Sequence, residues 1–444
     1  MPDVRPSDVH EILSKHMLAD GYPLVLDLDR STPFTIYDSR EGKEYLDFFT
    51  FFASAPFGMN HPKMNTPEFI RKIGKVAVNK PSNSDLYTVE MADLVKTMDR
   101  LLIPGYLSHL FLVSGGALAV ENALKIAFDW KVRMNLANGK GEKGSRVIHF
   151  TGAFHGRTGY TLSLTNTADP RKYMYYPLFD WPRIDAPGLT FPVDAAVARE
   201  TDERALADVE SAFVENPDDV AAVIIEPIMG EGGDVHFSPY FLNGLKDLCD
   251  KHEAMFILDE VQTGIGLTGE MWAHQTLGVI PDIIAFGKKS QVCGVLAGPK
   301  VDQVEKNVFV ESSRINSTWG GNLVDMVRFT RILEIIEEDD LLENARNVGV
   351  YLLEQLQEFA DEYPGLNNVR GRGLMCAFDL ATKEVRDALL KALLEEGMLM
   401  LGCGERSVRF RPPLQTTHEH VDNGFVVLRK AMERVAKEVS IEVA

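Results

Sequence analysis

Apolar residues along this chain gather into short unbroken runs, set between longer stretches of helical periodicity. Met255-Phe256-Ile257-Leu258 is one such run and ends in Asp259; Ile283-Ile284-Ala285-Phe286 is another and ends in Gly287-Lys288. Four-residue apolar runs with turn residues behind them predict buried strands of a parallel sheet. His109–Val113, Arg146–Phe150 and residues 220–226 (VAAVIIE, closed by Pro227) predict three more. Behind the first of these, Val120, Ala123, Leu124, Ala127 and Phe128 fall at i, i+3, i+4, i+7 and i+8. That spacing predicts a helix whose apolar stripe faces the sheet.

The two ends of the chain read differently. Residues 1–75 hold a helical start and short strands such as 44–49, which run on into the apolar FFTFFASAPFGMNHP, loop-like after Ser54. That segment reads equally well as core or as the wall of a site. Residues 165–193, rich in proline and aromatics, predict long surface loops. A helical segment over 323–359 leads out of the central region. Beyond residue 365, NVRGRGLMCAFDL and SVRFRPPL predict strands, and 383–396 and 417–440 predict helices. In the last helix Val421, Phe425, Leu428, Met432 and Val435 form the stripe. The expected organisation is α/β: a large domain over 76–325 with a mainly parallel sheet flanked by helices, and a smaller α+β domain built from 1–75 and 326–444.

Composition narrows the partners. The 444 residues exceed one compact core, and 45% hydrophobic with 25% charged residues is ordinary for a globular enzyme. Lys and Arg number 46 against 65 Asp and Glu, a net charge of −19, which argues against nucleic acid or an anionic membrane surface as a partner. An anionic substrate must then be drawn by local arginines. Four cysteines without a CxxC pair suggest the reduced thiols of a cytoplasmic protein. The start, MPDVRPSDVHEILSKHML, lacks the layout of a signal or transit peptide, and no apolar run approaches a membrane span.

Parallel α/β sheets bind ligands outside the carboxyl ends of their strands. Asp259 and Lys288 are therefore delivered to one sheet mouth. An amine there can form a Schiff base, and a carboxylate can hold a pyridine nitrogen protonated, which points to pyridoxal phosphate chemistry. Each residue alone has an ordinary reading, as a helix cap or a solvated lysine. The Gly115-Gly116 break that opens a helix offers N–H groups and a dipole suited to a phosphate, although a plain tight turn looks the same. Glu231 lies in MGEGG at the same mouth, with a solvated loop glutamate as the alternative. Gly264 to Gly269 fits GxGxxG, but five residues too far from its strand's carboxylate for a dinucleotide loop. His418 and His420 stand at i, i+2, which cannot share a helix face, so no metal site is expected.

DEVQTGxGxTG, a lysine 29 positions after its aspartate, and Ser317-Thr-Trp-Gly-Gly-Asn322 together resemble the class III pyridoxal-phosphate-dependent aminotransferases over nearly the whole chain. FGKKSQVCGV, SGGALAVENALK, AFHGR and Leu267 look most like the members of that class that act on the terminal amino group of lysine. The resemblance implies fold type I and a homodimer with a composite active site. It implies Lys288 as the Schiff-base residue and proton carrier, with Lys289 the rival neighbour, and Asp259 on the pyridine nitrogen. It implies Gly116 and Ala117 on the phosphate, Phe154 and Val261 on the two ring faces, and Gln262 near the phenolic oxygen. Thr318 would reach the phosphate of the neighbouring subunit. Arg157 and Arg409 would bind substrate carboxylates, leaving Arg411 as a surface charge. Glu231 would pair with Arg409 when lysine is bound and swing away on its glycine-rich loop when glutamate is bound. The implied reaction passes the ε-amino group of L-lysine to 2-oxoglutarate, giving 2-aminoadipate 6-semialdehyde and L-glutamate. Ornithine or 4-aminobutyrate is the alternative donor, and a nicotinamide oxidoreductase is the rival from another class.

Overall fold

The computed structural model describes residues 4–439. Among them, seven strands form the central sheet, in the order His109–Val113, Cys293–Ala297, Ile283–Phe286, Met255–Asp259, Val220–Ile225, Arg146–Phe150, Arg183–Ile184. Cys293–Ala297 runs antiparallel to both its neighbours, and the other pairings are parallel. The middle strands are buried on both faces, as their unbroken apolar runs require. The helix Gly116–Ala137 lies on one face, with Val120, Ala123, Leu124 and Ala127 fully buried. Each such side chain contributes about 1–3 kcal/mol of burial. Phe128 stays half-buried and packs against Tyr160 and Trp181.

Two smaller sheets bring the chain ends together. Thr35–Asp38 and Lys43–Asp47 form an antiparallel hairpin, and Met398–Leu399 joins its edge in parallel. Asn367–Arg372, Met375–Asp379, Ser407–Phe410 and Leu401–Cys403 form a four-stranded antiparallel sheet. The helices Lys383–Glu396 and His418–Val439 pack together, and the whole apolar stripe of the second is buried. Ser440, the predicted end of that helix, lies outside the described residues.

Three expectations change. The helical segment over 323–359 is two helices, Leu323–Glu338 and Leu341–Glu362, broken where Asp340 takes a left-handed φ of 49°. Glu337, Glu338, Asp339 and Asp340 crowd the negative end of the first helix dipole there, which opposes continuation. The 165–193 loop contributes the sheet's edge strand, Arg183–Ile184. The 44–49 strand ends at Asp47, and Thr50 to Ala53 form a left-handed turn with φ of 38°, 52°, 61° and 63°. Side chains in that conformation cost on the order of 1 kcal/mol or more each. Hydrogen bonds from Phe49 N and Thr50 N to Asp47 Oδ1, and from Thr50 Oγ1 to Arg411 O, hold the turn.

Candidate active site

The parallel strands deliver their side chains to one edge. Asp259 closes Met255–Asp259 and is buried; its Oδ1 accepts Val261 N–H at 3.0 Å and its Oδ2 lies 2.8 Å from His155 Nδ1. His155 is itself buried, and its Nε2 has no partner among the described residues. Glu226 stands where Val220–Ile225 ends, accepting Phe154 N–H at 3.0 Å and Gly230 N–H at 3.2 Å. Burial pushes its carboxyl up to about 7, with Asp259 adding to the rise and His155 opposing it. Neither His155 nor Glu226 was among the residues expected here. The signal for Glu226 existed, since it closes a buried strand just as Asp259 does.

Lys288 follows Ile283–Phe286 with a left-handed φ of 53°. Burial, reinforced by Arg409, pulls its amine down to about 8 against the opposing pull of Glu226 and Asp259. Among the described residues no hydrogen bond occupies that amine. Lys289 differs. Its Nζ donates to Gln262 O at 2.6 Å and to Ala53 O at 3.4 Å, so it ties the lysine loop to the left-handed turn. Gln291 adds a second tie, from Nε2 to Ser54 O at 2.6 Å. The segment that read equally as core or wall therefore braces the loop that carries Lys288.

The helix Gly116–Ala137 starts behind Gly115, whose φ of 110° suits glycine. A Cβ at Gly116 would meet Val261 Cγ1 at 2.9 Å, so the helix start and the segment after Asp259 are closely packed. Ala117 and Phe154 are half-buried. Thr318 is exposed, in a loop fixed by hydrogen bonds from Ser82 Oγ to Thr318 O and from Asn83 Nδ2 to Trp319 O.

Charged side chains around Gln262 and Glu231 form a network. Arg409, in Ser407–Phe410, is buried and donates to Glu231 Oε2 at 3.2 Å and to Gln262 Oε1 at 3.4 Å. Arg411 is no surface charge: it is fully buried and donates from Nη1 to Asp234 Oδ2 at 2.9 Å and from Nη2 to Gln262 Oε1 at 2.8 Å. Asp234 pairs with it across 177 residues of sequence, which is why composition and pattern could not reveal the pair. Lys172, also unforeseen, donates to Glu231 Oε1 at 2.6 Å. Burial raises Glu231, but Arg409 and Lys172 together outweigh it and hold the carboxyl below its ordinary value. Lys172 and Glu231 line a cavity of about 940 Å³ with Arg386 and Arg406. Arg157 stands apart, exposed and without an ion pair or hydrogen bond among the described residues.

Residues 17–432 match the family model described as Aminotransferase class-III. The chain belongs to the class III aminotransferases. L-lysine-epsilon aminotransferase of Amycolatopsis lactamdurans is 51% identical to this class III aminotransferase over 436 residues, 97% of this chain and 96% of its own. A probable mitochondrial 4-aminobutyrate aminotransferase of Caenorhabditis elegans is 34% identical over 424 residues, 88% of this chain and 85% of its own. A solved structure of lysine aminotransferase from M. tuberculosis in the internal aldimine form superposes with a TM-score of 0.96 at 50% identity, covering 97% of this chain and all of that one. The fold is that of fold type I, and the cofactor of the class is pyridoxal 5'-phosphate. The residues here fit that group: an unpartnered amine on half-buried Lys288, a buried carboxylate at Asp259 and a glycine-led helix start face the same mouth.

Proposed function

We propose that this class III aminotransferase moves the ε-amino group of L-lysine to 2-oxoglutarate, releasing 2-aminoadipate 6-semialdehyde and L-glutamate. The Glu231–Arg409 pair carries the reading. A buried arginine suits the α-carboxylate of a glutamate whose α-amino group reacts. Lysine reacting at its ε-amino group brings no carboxylate there, and an unpaired buried guanidinium would be costly. Glu231 supplies the missing negative charge. The identity to relatives named for lysine-epsilon transfer supports the same donor.

Pyridoxal phosphate, when bound, supplies a reactive aldehyde and an electron-poor ring that delocalises the charge left when a C–H proton is removed. The chain's own residues do the rest. Lys288 Nζ, unpartnered and drawn down to about 8, is the amine that would hold the aldehyde and, when not so engaged, would carry the proton. Asp259, oriented by His155 and by Val261 N–H, holds a pyridine proton in place. Phe154 and Val261 are assigned to the ring faces, Gly116 and Ala117 to the phosphate, and Gln262 to the ring's phenolic oxygen. Thr318 is assigned to the phosphate of the neighbouring subunit, so the working unit in this reading is a homodimer. Arg157 is assigned to the distal carboxylate of 2-oxoglutarate. The division at about residues 75 and 325 belongs to the same reading, supported by the sheet that joins Lys43–Asp47 to Met398–Leu399. So does a cytoplasmic location, supported by four buried, free cysteines. Among the described residues no helix is long and apolar enough to cross a membrane.

Purified holoenzyme offered lysine, ornithine or 4-aminobutyrate with 2-oxoglutarate decides the donor. Lysine should lead in kcat/KM by at least about tenfold, or 1.4 kcal/mol of transition-state binding, with the semialdehyde as product. Faster turnover of ornithine or 4-aminobutyrate, or loss of the α-amino group of lysine, would overturn the assignment.

A further inference from the structure

The expected swing of Glu231 on a slack loop meets an obstacle. Gly230 is packed so closely that a Cβ there would lie 2.2 Å from Gln262 Oε1, and one at Gly232 would lie 2.5 Å from Gly152 O. The carbonyl of Glu231 itself accepts Gly404 N–H at 2.8 Å. These glycines provide close approach, and the backbone that carries Glu231 is pinned on both sides. Any exchange of partners must then take place in the side chain.

The side chain has two cations. Arg409 reaches Oε2 at 3.2 Å, and Lys172 reaches Oε1 at 2.6 Å. Lys172 comes from the turn Pro170–Lys172, capped by Asp169 Oδ1 through Arg171 N–H. Its side chain is 16% exposed, and its Nζ stands 5.7 Å from the centroid of the Phe154 ring. The shorter contact is the one on Lys172, and short charge-assisted hydrogen bonds are the stronger ones. Arg411 is already matched by Asp234, so it does not compete for Glu231.

We propose that Lys172 is the pivot of the Glu231 exchange, keeping one carboxylate oxygen while the other leaves Arg409 for the α-carboxylate of glutamate or 2-oxoglutarate. This rests on the reading of Glu231 given above. It answers a cost that reading leaves open. A half-buried carboxylate released from its arginine would be left bare, and with Lys172 in place it never is. Lys172 is thus a specificity-determining residue, since it lowers the cost of the state that accepts a dicarboxylate. Without its charge Glu231 has Arg409 as its one cation, and an incoming α-carboxylate must displace it into an unpaired state.

The test follows the two half-reactions of the holoenzyme separately, in single turnovers read by cofactor absorbance, for the parent, Lys172→Met, Lys172→Arg, Glu231→Gln and the double variant Lys172→Met/Glu231→Gln. Lys172→Met should lose at least about tenfold more in the glutamate half-reaction than in the lysine half-reaction, and Lys172→Arg should recover most of that difference. In the Glu231→Gln background, Lys172→Met should move the ratio by less than about twofold, because the partner it serves is gone. Equal slowing of both half-reactions, or a larger loss with lysine, overturns the pivot. So does an undiminished effect in the Glu231→Gln background, which would mean that Lys172 touches the substrate directly. If Glu231→Gln alone leaves the ratio unmoved, the Glu231 reading fails and takes the pivot with it. If Glu231→Gln moves the ratio and Lys172→Met does not, the pivot alone fails.

Discussion

Replacing Arg411 by methionine separates a structural charge from a substrate-binding one. Arg411 and Asp234 have side-chain exposures of 0% and 1%, and two guanidinium nitrogens face two carboxylate oxygens. The variant leaves the Asp234 carboxylate buried with no cation on it, and breaking a buried pair from one side costs about 3–5 kcal/mol. It also removes the donors at 2.8 Å and 3.3 Å from Gln262 Oε1, leaving Arg409 at 3.4 Å. Removing both charges, as Arg411→Met with Asp234→Leu, should recover most of the loss, because an apolar pair of similar volume often replaces a buried ion pair at little cost. Urea unfolding at one fixed, saturating cofactor concentration reads both variants on a common slope, and the single variant's midpoint should fall by on the order of 1 M. A single variant within about 0.5 kcal/mol of the parent would refute the reasoning, as that is the range of an ordinary surface substitution. So would a double variant no more stable than the single one.

The remaining expectations concern the cofactor side. Lys288→Ala should lose the borohydride-reducible link to pyridoxal phosphate, whereas Lys289→Met should keep that link and lose about 1–3 kcal/mol of stability by leaving Gln262 O unpaired; peptide mapping of the reduced adduct to Lys289 would reverse the assignment. Asp259→Asn should still fold and bind cofactor, since an amide can replace both hydrogen bonds, but should turn over at least about a hundredfold more slowly, a loss of roughly 2.7 kcal/mol; turnover within about threefold of the parent would rule the role out. In the cofactor-free protein Lys288 is drawn down to about 8, so its uncharged, nucleophilic form grows as pH rises and predominates above that value. Uptake of pyridoxal phosphate should accordingly accelerate with pH and level off above about pH 8; a rate still climbing toward the ordinary lysine value of 10.5 would contradict the burial argument.

Five of the seven strands of the central sheet were legible as short apolar runs closed by a turn or polar residue; Cys293–Ala297, interrupted by Gly294, and the two-residue Arg183–Ile184 were not. Asp259 and Lys288 were legible for the same reason, each standing at the end of a run. Pairings that depend on distant segments were not. Asp234 reaches Arg411 and Lys172 reaches Glu231 only once the loops after different strands are folded over one mouth. Arg411 could still have been placed better, because Arg409 and Arg411 flank Phe410 at the two-residue spacing that puts side chains on one side of an extended segment. The helix break at Asp340 was written in four consecutive acids, a signal that apolar periodicity alone passes over. Lys288 and Lys289 are chemically alike; the 29-position spacing from Asp259 favours the first, and the carbonyls that occupy the Lys289 amine supply the physical distinction.

The parallel pairing of Lys43–Asp47 with Met398–Leu399 sets a schedule for synthesis. Asp47 sits opposite Leu399, so the hairpin that emerges first must wait for about 350 further residues before its edge is covered. At about 5–20 residues per second, that is roughly 20 to 70 s on the ribosome with an unpaired strand edge and the aromatic Phe48 and Phe49 beside it. Nascent chains stalled before residue 398 should therefore hold this hairpin open to chaperones and to one another, while the strands of the central sheet, complete by Ala297, are already available to pair.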